Sequence, residues 1–252
     1  MSGAPASSAS PDESASITDA RADACALAAR YARRQVGDRY SPLRPEVMAL
    51  LHERPRALAR LFARLGLADL AALDLLEVGC GSGGTLLELL RLGFSPERLS
   101  GIELLPERHA HARRVLPAAT GVWLGDAGDA AGLPLAAASQ HIVMQASVFS
   151  SLLEPGAQQR LADAMWRWLR PGGGVLWYDL AYDNPRNADV CGVPLARVRA
   201  LFPQGRLTHG ERVTLAPPLA RVLCRVHPAL YGVFNALPPL RSHRLVWIAK
   251  PG

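Results

Sequence analysis

Beyond about residue 73 the chain alternates short apolar runs with amphipathic segments. Leu73–Val78 reads as a strand and Thr85–Leu92, with Leu86, Leu87, Leu89 and Leu90, as a helix. Leu99–Glu103 is the next strand, Glu107–Val115 a helix and Thr120–Leu124 a third strand. His141–Ala146 and Gly174–Leu180 are two more strands, separated by a helix over Ala157–Leu169. Strands alternating with helices mean βαβ units and a parallel sheet. The closing part differs. Arg206–Leu215 and His243–Ile248 are strands with no alternating helical repeat, which predicts an antiparallel hairpin ending the sheet. Between them, residues 217–240 form a proline-punctuated apolar stretch, expected as a lid insertion. Upstream, helical patterning runs from Ala20 through Tyr31, breaks at Tyr40–Pro45 and resumes over Glu46–Leu65, where Pro55 is expected to kink or split it. The prediction is an α/β fold. It has seven strands, mostly parallel, with helices on both faces, an N-terminal helical cap over 20–72 and a core over 73–252. Residues 1–19, rich in Ser, Ala, Pro and acids, read as a disordered tail.

Composition narrows the function. The chain has 252 residues, enough for one large domain or two small ones without a disulfide or metal staple. Its formal charge is +6, yet the arginines are spread along the chain among acids, with no block of like charge. No nucleic-acid partner is therefore expected. The only lysine is Lys250, so a lysine base or Schiff base is excluded. Cys25, Cys80, Cys191 and Cys224 lie far apart without zinc spacing, and read as free thiols in a reducing cytosol. The first residues do not resemble a signal peptide, and no uncharged run of apolar residues is long enough to span a membrane. A cytoplasmic location is expected.

The chemistry centres on Leu76-Glu77-Val78-Gly79-Cys80-Gly81-Ser82-Gly83-Gly84-Thr85, where a strand gives way to a helix. Four glycines within six residues allow a tight turn and let a ligand approach the backbone, with helix N–H groups behind it. Gly79, Gly81 and Gly84 also fit the dinucleotide fingerprint, so two cofactor classes compete. Glu77 at the strand tip suits a ligand carrying an ammonium or sulfonium charge and would repel a pyrophosphate. Glu103 ends the second strand, placed for ribose hydroxyls, and Asp126 follows the third, placed for an adenine amino group.

Together with Gly125-Asp126-Ala127 and Leu169-Arg170-Pro171-Gly172-Gly173, these residues resemble class I S-adenosylmethionine-dependent methyltransferases, with their Rossmann-like sheet. The resemblance covers Leu73–Leu180. It implies that Glu77 faces the methionine amino group, that Gly79, Cys80, Gly81 and Gly83 line the cofactor backbone, and that Glu103 with Leu104 meets the ribose. Asp126 and Ala127 would meet the adenine, and Gln145 the methionine part. Tyr31, Arg34 and Tyr40 of the N-terminal region would touch the cofactor carboxylate, with a solvated basic face as the plain alternative.

The segment Tyr178-Asp179-Leu180-Ala181-Tyr182-Asp183-Asn184-Pro185-Arg186-Asn187 follows the fifth strand, at the crevice where open parallel sheets bind ligands. Ser147, Tyr178, Tyr182, Asn184, Arg186 and Asn187 are the expected acceptor-binding residues. Asp179 is the first candidate for general base and His243 the second, each with a structural role as its alternative. No metal site is expected, because Gln145-Ala146-Ser147 and Asp179-Leu180 stand where metal-dependent relatives carry acids and an Asp-Asn pair. The sequence thus points to methyl transfer from S-adenosylmethionine to an oxygen or nitrogen of a small molecule, such as a sugar or natural product. An NAD-type oxidoreductase and a non-catalytic methyltransferase-like module are the alternatives, and a peripheral membrane contact by residues 217–240 stays open.

Overall fold

In the computed structural model, helix α1 (Pro45–Arg64) opens the described core. Arg44 before it is extended, and Pro45 fills the first turn, where its missing N–H costs nothing. Pro55 lies inside α1 without ending it. One hydrogen bond is lost there, but the next turn buries Ala57, Leu58, Leu61 and Phe62 and keeps the helix whole. Phe62 meets Phe94 edge-on at 5.6 Å. The structure describes Ala29 and residues 41–129, 132–183 and 187–252. The expected helix from Ala20, the tail, and Tyr31, Arg34, Tyr40, Asn184 and Arg186 lie outside them. All that follows concerns the unit formed by residues 39–252.

The sheet has seven strands: β1 (Leu75–Val78), β2 (Leu99–Glu103), β3 (Gly121–Leu124), β4 (Gln140–Ala146), β5 (Leu169–Leu180), β6 (Arg206–Leu215) and β7 (Arg241–Ala249). Their order is β3-β2-β1-β4-β5-β7-β6. The first five are parallel, and β7 runs antiparallel between β5 and β6, so the expected closing hairpin is present. Helices α2 (Gly84–Leu92), α3 (Pro106–Val115), α4 (Pro155–Trp168) and α5 (Leu195–Leu201) complete the alternation. β1, buried at every position, places Leu75 in the core under α1 and α2, and Leu76 and Val78 in the core under α4.

The elements depart from the patterning in places. β5 begins at Leu169, ahead of its glycines, because Leu169 pairs with Gln140 before the register shifts. α5 was not anticipated, as its arginines break up a seven-residue apolar pattern. Residues 217–240 fold as α6 (Pro217–Val226), α7 (Leu230–Asn235) and a single 3-10 turn. They bury Ala220, Cys224 and Tyr231 against Leu215 at the end of β6, with Ala49 of α1 beside them. Among the described residues no helix is long and apolar enough to cross a membrane.

Glu53 ties α1 to this corner. Its carboxylate accepts the Thr214 N–H at 2.8 Å, the Tyr231 hydroxyl at 2.9 Å and the Asn235 amide at 2.9 Å. Thr214 sits at φ 67°, a left-handed conformation costly for a β-branched residue. The fold therefore over-determines it: its N–H goes to Glu53, and its hydroxyl pairs with Tyr178 at 2.7 Å. Glu53→Ala would strand these donors, so we expect it to lower unfolding free energy by roughly 2–4 kcal/mol. Chemical denaturation checks this; an unchanged midpoint would mean that Thr214 is held by other contacts.

Candidate active site

The turn after β1 is built from backbone that only glycine adopts cheaply. Gly79, Gly81 and Gly83 have φ of 66°, 60° and 86°. Space excludes side chains as well: a Cβ on Gly79 would stand 2.5 Å from Val148, and one on Gly81 would stand 2.4 Å from the Arg108 guanidinium. Gly83 caps α2, whose free N–H groups face back along the turn. Cys80 buries its thiol against Gly101 of β2, and burial beside Glu77 and Glu103 pushes that thiol up, so it stays neutral.

Two carboxylates flank the turn. Glu103, at the end of β2, accepts the Gly81 N–H at 2.8 Å and the Leu105 N–H at 2.9 Å, one on each oxygen. An ionised carboxylate has about four acceptor positions, so about two stay open for hydroxyl donors. Asp126 lies one strand further out. Its Oδ1 accepts the Gly128 N–H at 2.7 Å, and its side chain is exposed beside half-buried Ala127. Leu104 is half-buried just past Glu103.

Glu77, the other flanking carboxylate, is 1% exposed on β1. One of its oxygens is buried with no hydrogen-bond partner among the described residues. Burial pushes its carboxyl up to about 8 against the pull of Arg54 and the Thr85 hydroxyl, while Glu88 and Glu103 add to the rise. Sequence reasoning passed over Arg54 and Glu88. Arg54 reaches from α1 and grips Glu88 of α2 with two bonds, of 2.8 and 2.7 Å. The available signal was a charge on the apolar side of each helix: Arg54 stands four residues before Leu58, and Glu88 is buried on α2 beside Leu89.

At the end of β4, Gln145 pairs in register with Val78 and is fully buried. Its side-chain carbonyl accepts the Val148 N–H at 3.1 Å, and its amide nitrogen has no hydrogen-bond partner among the described residues. Ser147, half-buried at φ 59°, donates its N–H to the Tyr178 carbonyl at 2.8 Å. The crevice thus gathers Glu77, Gly79–Gly83, Glu103, Gln145 and Ser147 at neighbouring carboxyl ends.

The acceptor-side expectations fare differently. Asp179 is fully buried; its oxygens accept the Ser150 N–H at 3.1 Å and its neighbour Leu180's N–H at 2.8 Å. Burial lifts its carboxyl to about 6, although these bonds favour the charged form. This is the geometry of a brace for the turn after β4. His243 stacks on Tyr178 at 5.1 Å, and its Nδ1 lies 3.0 Å from the Ser242 hydroxyl. Burial and Arg54 bring it down to about 4, so it is neutral. Tyr178 is buried with its hydroxyl on Thr214. Of the loop that follows, Tyr182 is exposed under the Arg212 guanidinium, and Asn187 accepts the Asp189 N–H at 3.2 Å within a turn. Among the described residues no group of three or more His, Cys, Asp or Glu side chains is set to hold a metal.

Sheet order, glycine turn and the two carboxylates define an α/β protein built for a nucleoside cofactor with a cationic end. Residues 75–173 match the family model of the methyltransferase domain. Over 135 residues the chain is 34% identical to the tRNA N(3)-methylcytidine methyltransferase Mettl2 of Drosophila melanogaster, a match spanning 45% of this chain and 39% of that protein. Among solved structures, a putative sarcosine dimethylglycine methyltransferase from Galdieria sulphuraria superimposes with a TM-score of 0.58 at 15% identity, covering 79% of this chain and 85% of that one. A Mesorhizobium loti S-adenosylmethionine-dependent methyltransferase gives 0.54 at 15% identity, covering 74% and 95%. Residues 75–173 are a methyltransferase domain, and the fold shared with S-adenosylmethionine-dependent methyltransferases implies S-adenosylmethionine as the cofactor. One expectation needs correction. The even spread of arginines argued against a nucleic-acid partner, but this relative acts on tRNA. Spacing along the sequence does not reveal which arginines the fold collects on one face.

The residues fit the cofactor. Glu77's partnerless oxygen and Gln145's partnerless amide suit the ammonium and carboxylate of the methionine part. Glu103's open acceptor positions suit ribose hydroxyls. We expect Glu103→Ala to weaken S-adenosylhomocysteine binding by about one to two decades, the worth of charge-assisted bonds; calorimetry reporting wild-type affinity would remove Glu103 from the site. Glu77 should give the site a pH dependence. Its folded pKa of about 8 exceeds the ordinary 4.5, so its protonated form contributes stability that is lost as pH rises through about 8. A bound ammonium favours the carboxylate, so cofactor uptake expels a proton and affinity climbs by up to about tenfold per pH unit below the free-state pKa. Binding measured from pH 6 to 8 (about the accessible window) should lose this slope in Glu77→Gln; a slope that persists would point to another titrating group.

Proposed function

We propose that the chain transfers the methyl group of S-adenosylmethionine to a nitrogen or oxygen acceptor over the carboxyl ends of β4 and β5. The observation that carries this reading is the buried, partnerless Glu77 oxygen beneath the glycine turn. Such a group is costly unless a cationic ligand completes it, and a nicotinamide dinucleotide would bring a pyrophosphate there instead. When bound, S-adenosylmethionine supplies the activated methyl carbon; the residues of this chain orient the partners and exclude water.

For the acceptor we favour a ring nitrogen of an RNA base. The substrate printed in the Mettl2 name supports it. So does the absence of a poised base at Asp179, whose oxygens are taken up by N–H groups. A ring nitrogen with a free lone pair has no proton to lose before attack. A hydroxylated small molecule is the second reading, favoured by the half-buried Ser147 hydroxyl and the exposed Tyr182 ring at the crevice. We assign α1 with residues 217–240 as the cover of the acceptor end. The free thiols of Cys80, Cys191 and Cys224 support a reducing, cytoplasmic setting.

Incubating the full chain with methyl-labelled cofactor and either cytidine-containing RNA or hydroxylated small molecules tests the proposal. Label in RNA bases is the expected result. Label confined to small molecules would select the second reading, and binding of NADH without S-adenosylhomocysteine binding would overturn both. Asp179→Asn separates brace from base. We expect a lowered melting temperature, unchanged cofactor affinity and a rate defect below about tenfold once folded, against the roughly 10²–10⁴-fold loss of a true base.

A further inference from the structure

A cavity of about 680 Å³ opens between α1, α7 and β6, within the size range of small-ligand sites. Strand register fixes its place. Arg241, on its wall, pairs with Leu215 at the end of β6, and His243 two residues on pairs with Leu180 at the end of β5. The cavity therefore flanks the acceptor end of the crevice. A short bonded path joins the two, from Glu53 in the cavity through Thr214 to the Tyr178 hydroxyl.

One wall of the cavity is basic. His52, Arg56 and Arg60 follow one another at four-residue intervals, so they form a ridge on α1. Arg56 makes no hydrogen bond or ion pair among the described residues, and Arg60 comes no nearer than 3.8 Å to Glu211. Arg241 donates only to main-chain carbonyls, those of Asn235 at 2.6 Å and Arg212 at 2.7 Å, so its charge has no carboxylate partner.

On the opposite wall the donors are spent, because the Tyr231 hydroxyl and the Asn235 amide both go to Glu53. Asn235 gives its amide N–H to Glu53, which can only accept, so the orientation of the amide is fixed. Its carbonyl oxygen is left buried without a hydrogen-bond partner among the described residues. Glu211 lies between the walls: its buried Oε1 accepts no hydrogen bond among the described residues and has only the Arg60 guanidinium at 3.8 Å. A ligand suited to both walls carries an anion on one side and hydroxyl groups on the other. A ribose-phosphate unit has that form.

We propose that this cavity is an RNA subsite, holding the ribose-phosphate unit next to the methylated base. The phosphate meets Arg56 and Arg60, and the ribose hydroxyls donate to Asn235 and Glu211. The proposal rests on the RNA reading given above. It accounts for how a chain with dispersed arginines holds a polyanion: two distant sequence regions, α1 and the start of β7, deliver Arg56, Arg60 and Arg241 to one recess.

The test is fluorescence anisotropy of the full chain with a labelled, cytidine-containing RNA hairpin, over a range of salt concentrations. Arg56→Ala with Arg60→Ala should weaken binding about tenfold or more and reduce the salt slope by about one to two. Arg56→Lys with Arg60→Lys should recover much of the slope, because the charges return. Melting temperature and S-adenosylhomocysteine affinity should hold in both. RNA bound by wild type and by the alanine variant with equal affinity and slope would overturn the subsite alone. Absence of RNA binding by wild type would overturn the RNA reading, and the subsite with it.

Discussion

Glu103 holds two loops with one carboxylate, through the N–H of Gly81 at 2.8 Å and that of Leu105 at 2.9 Å. These bonds tie the turn after β1 to the loop after β2. The turn can be held this way only because its glycines take left-handed backbone, which lets successive N–H groups point inward. α2 starts from the last of those glycines, so its direction follows from the same constraint. The gap between the two loops is thereby set before any ligand arrives, which is what rapid and specific cofactor binding requires.

A second layer of order is electrostatic. Glu77, Glu88 and Glu103 are all buried near the turn. Arg54 answers them with a bidentate grip on Glu88, over the Tyr178 ring at 5.9 Å. Its neighbour Glu53 pins Thr214, whose hydroxyl holds that of Tyr178. One turn of α1 thus places a cation against the buried Glu88 and an anion against Thr214. Displacement of that helix would disturb both at once.

The alternation of strands and helices was legible because parallel strands buried on both faces read as plain apolar runs. The glycine turn was legible because left-handed backbone restricts what can stand there. Arg54 and Glu53 were not, since their partners lie 34 and 161 residues away in sequence. Periodicity shows which face of a helix is buried, not what meets it. Polar residues after β5 are ambiguous for the converse reason: Asp183 and Asn187 accept the N–H groups of Gly192 and Asp189 within their own loop, and a sequence alone does not show such bonds. Asp179 belongs with them, as its place at a strand tip suits a brace as well as a base.

β6 lies at one edge of the sheet, with no further strand beyond it among the described residues. An outer strand exposes a row of N–H and C=O groups that can recruit a stranger's backbone. Arg206 and Arg212 stand along this one, and a shift of register between Leu207 and His209 interrupts its regularity. Glu211 of the same strand lies within 3.8 Å of Arg60 and 3.7 Å of Arg64 on α1. Charge and irregularity together deny a docking template to neighbouring molecules. The exposed edge is thereby protected against fibril-like growth in a crowded solution.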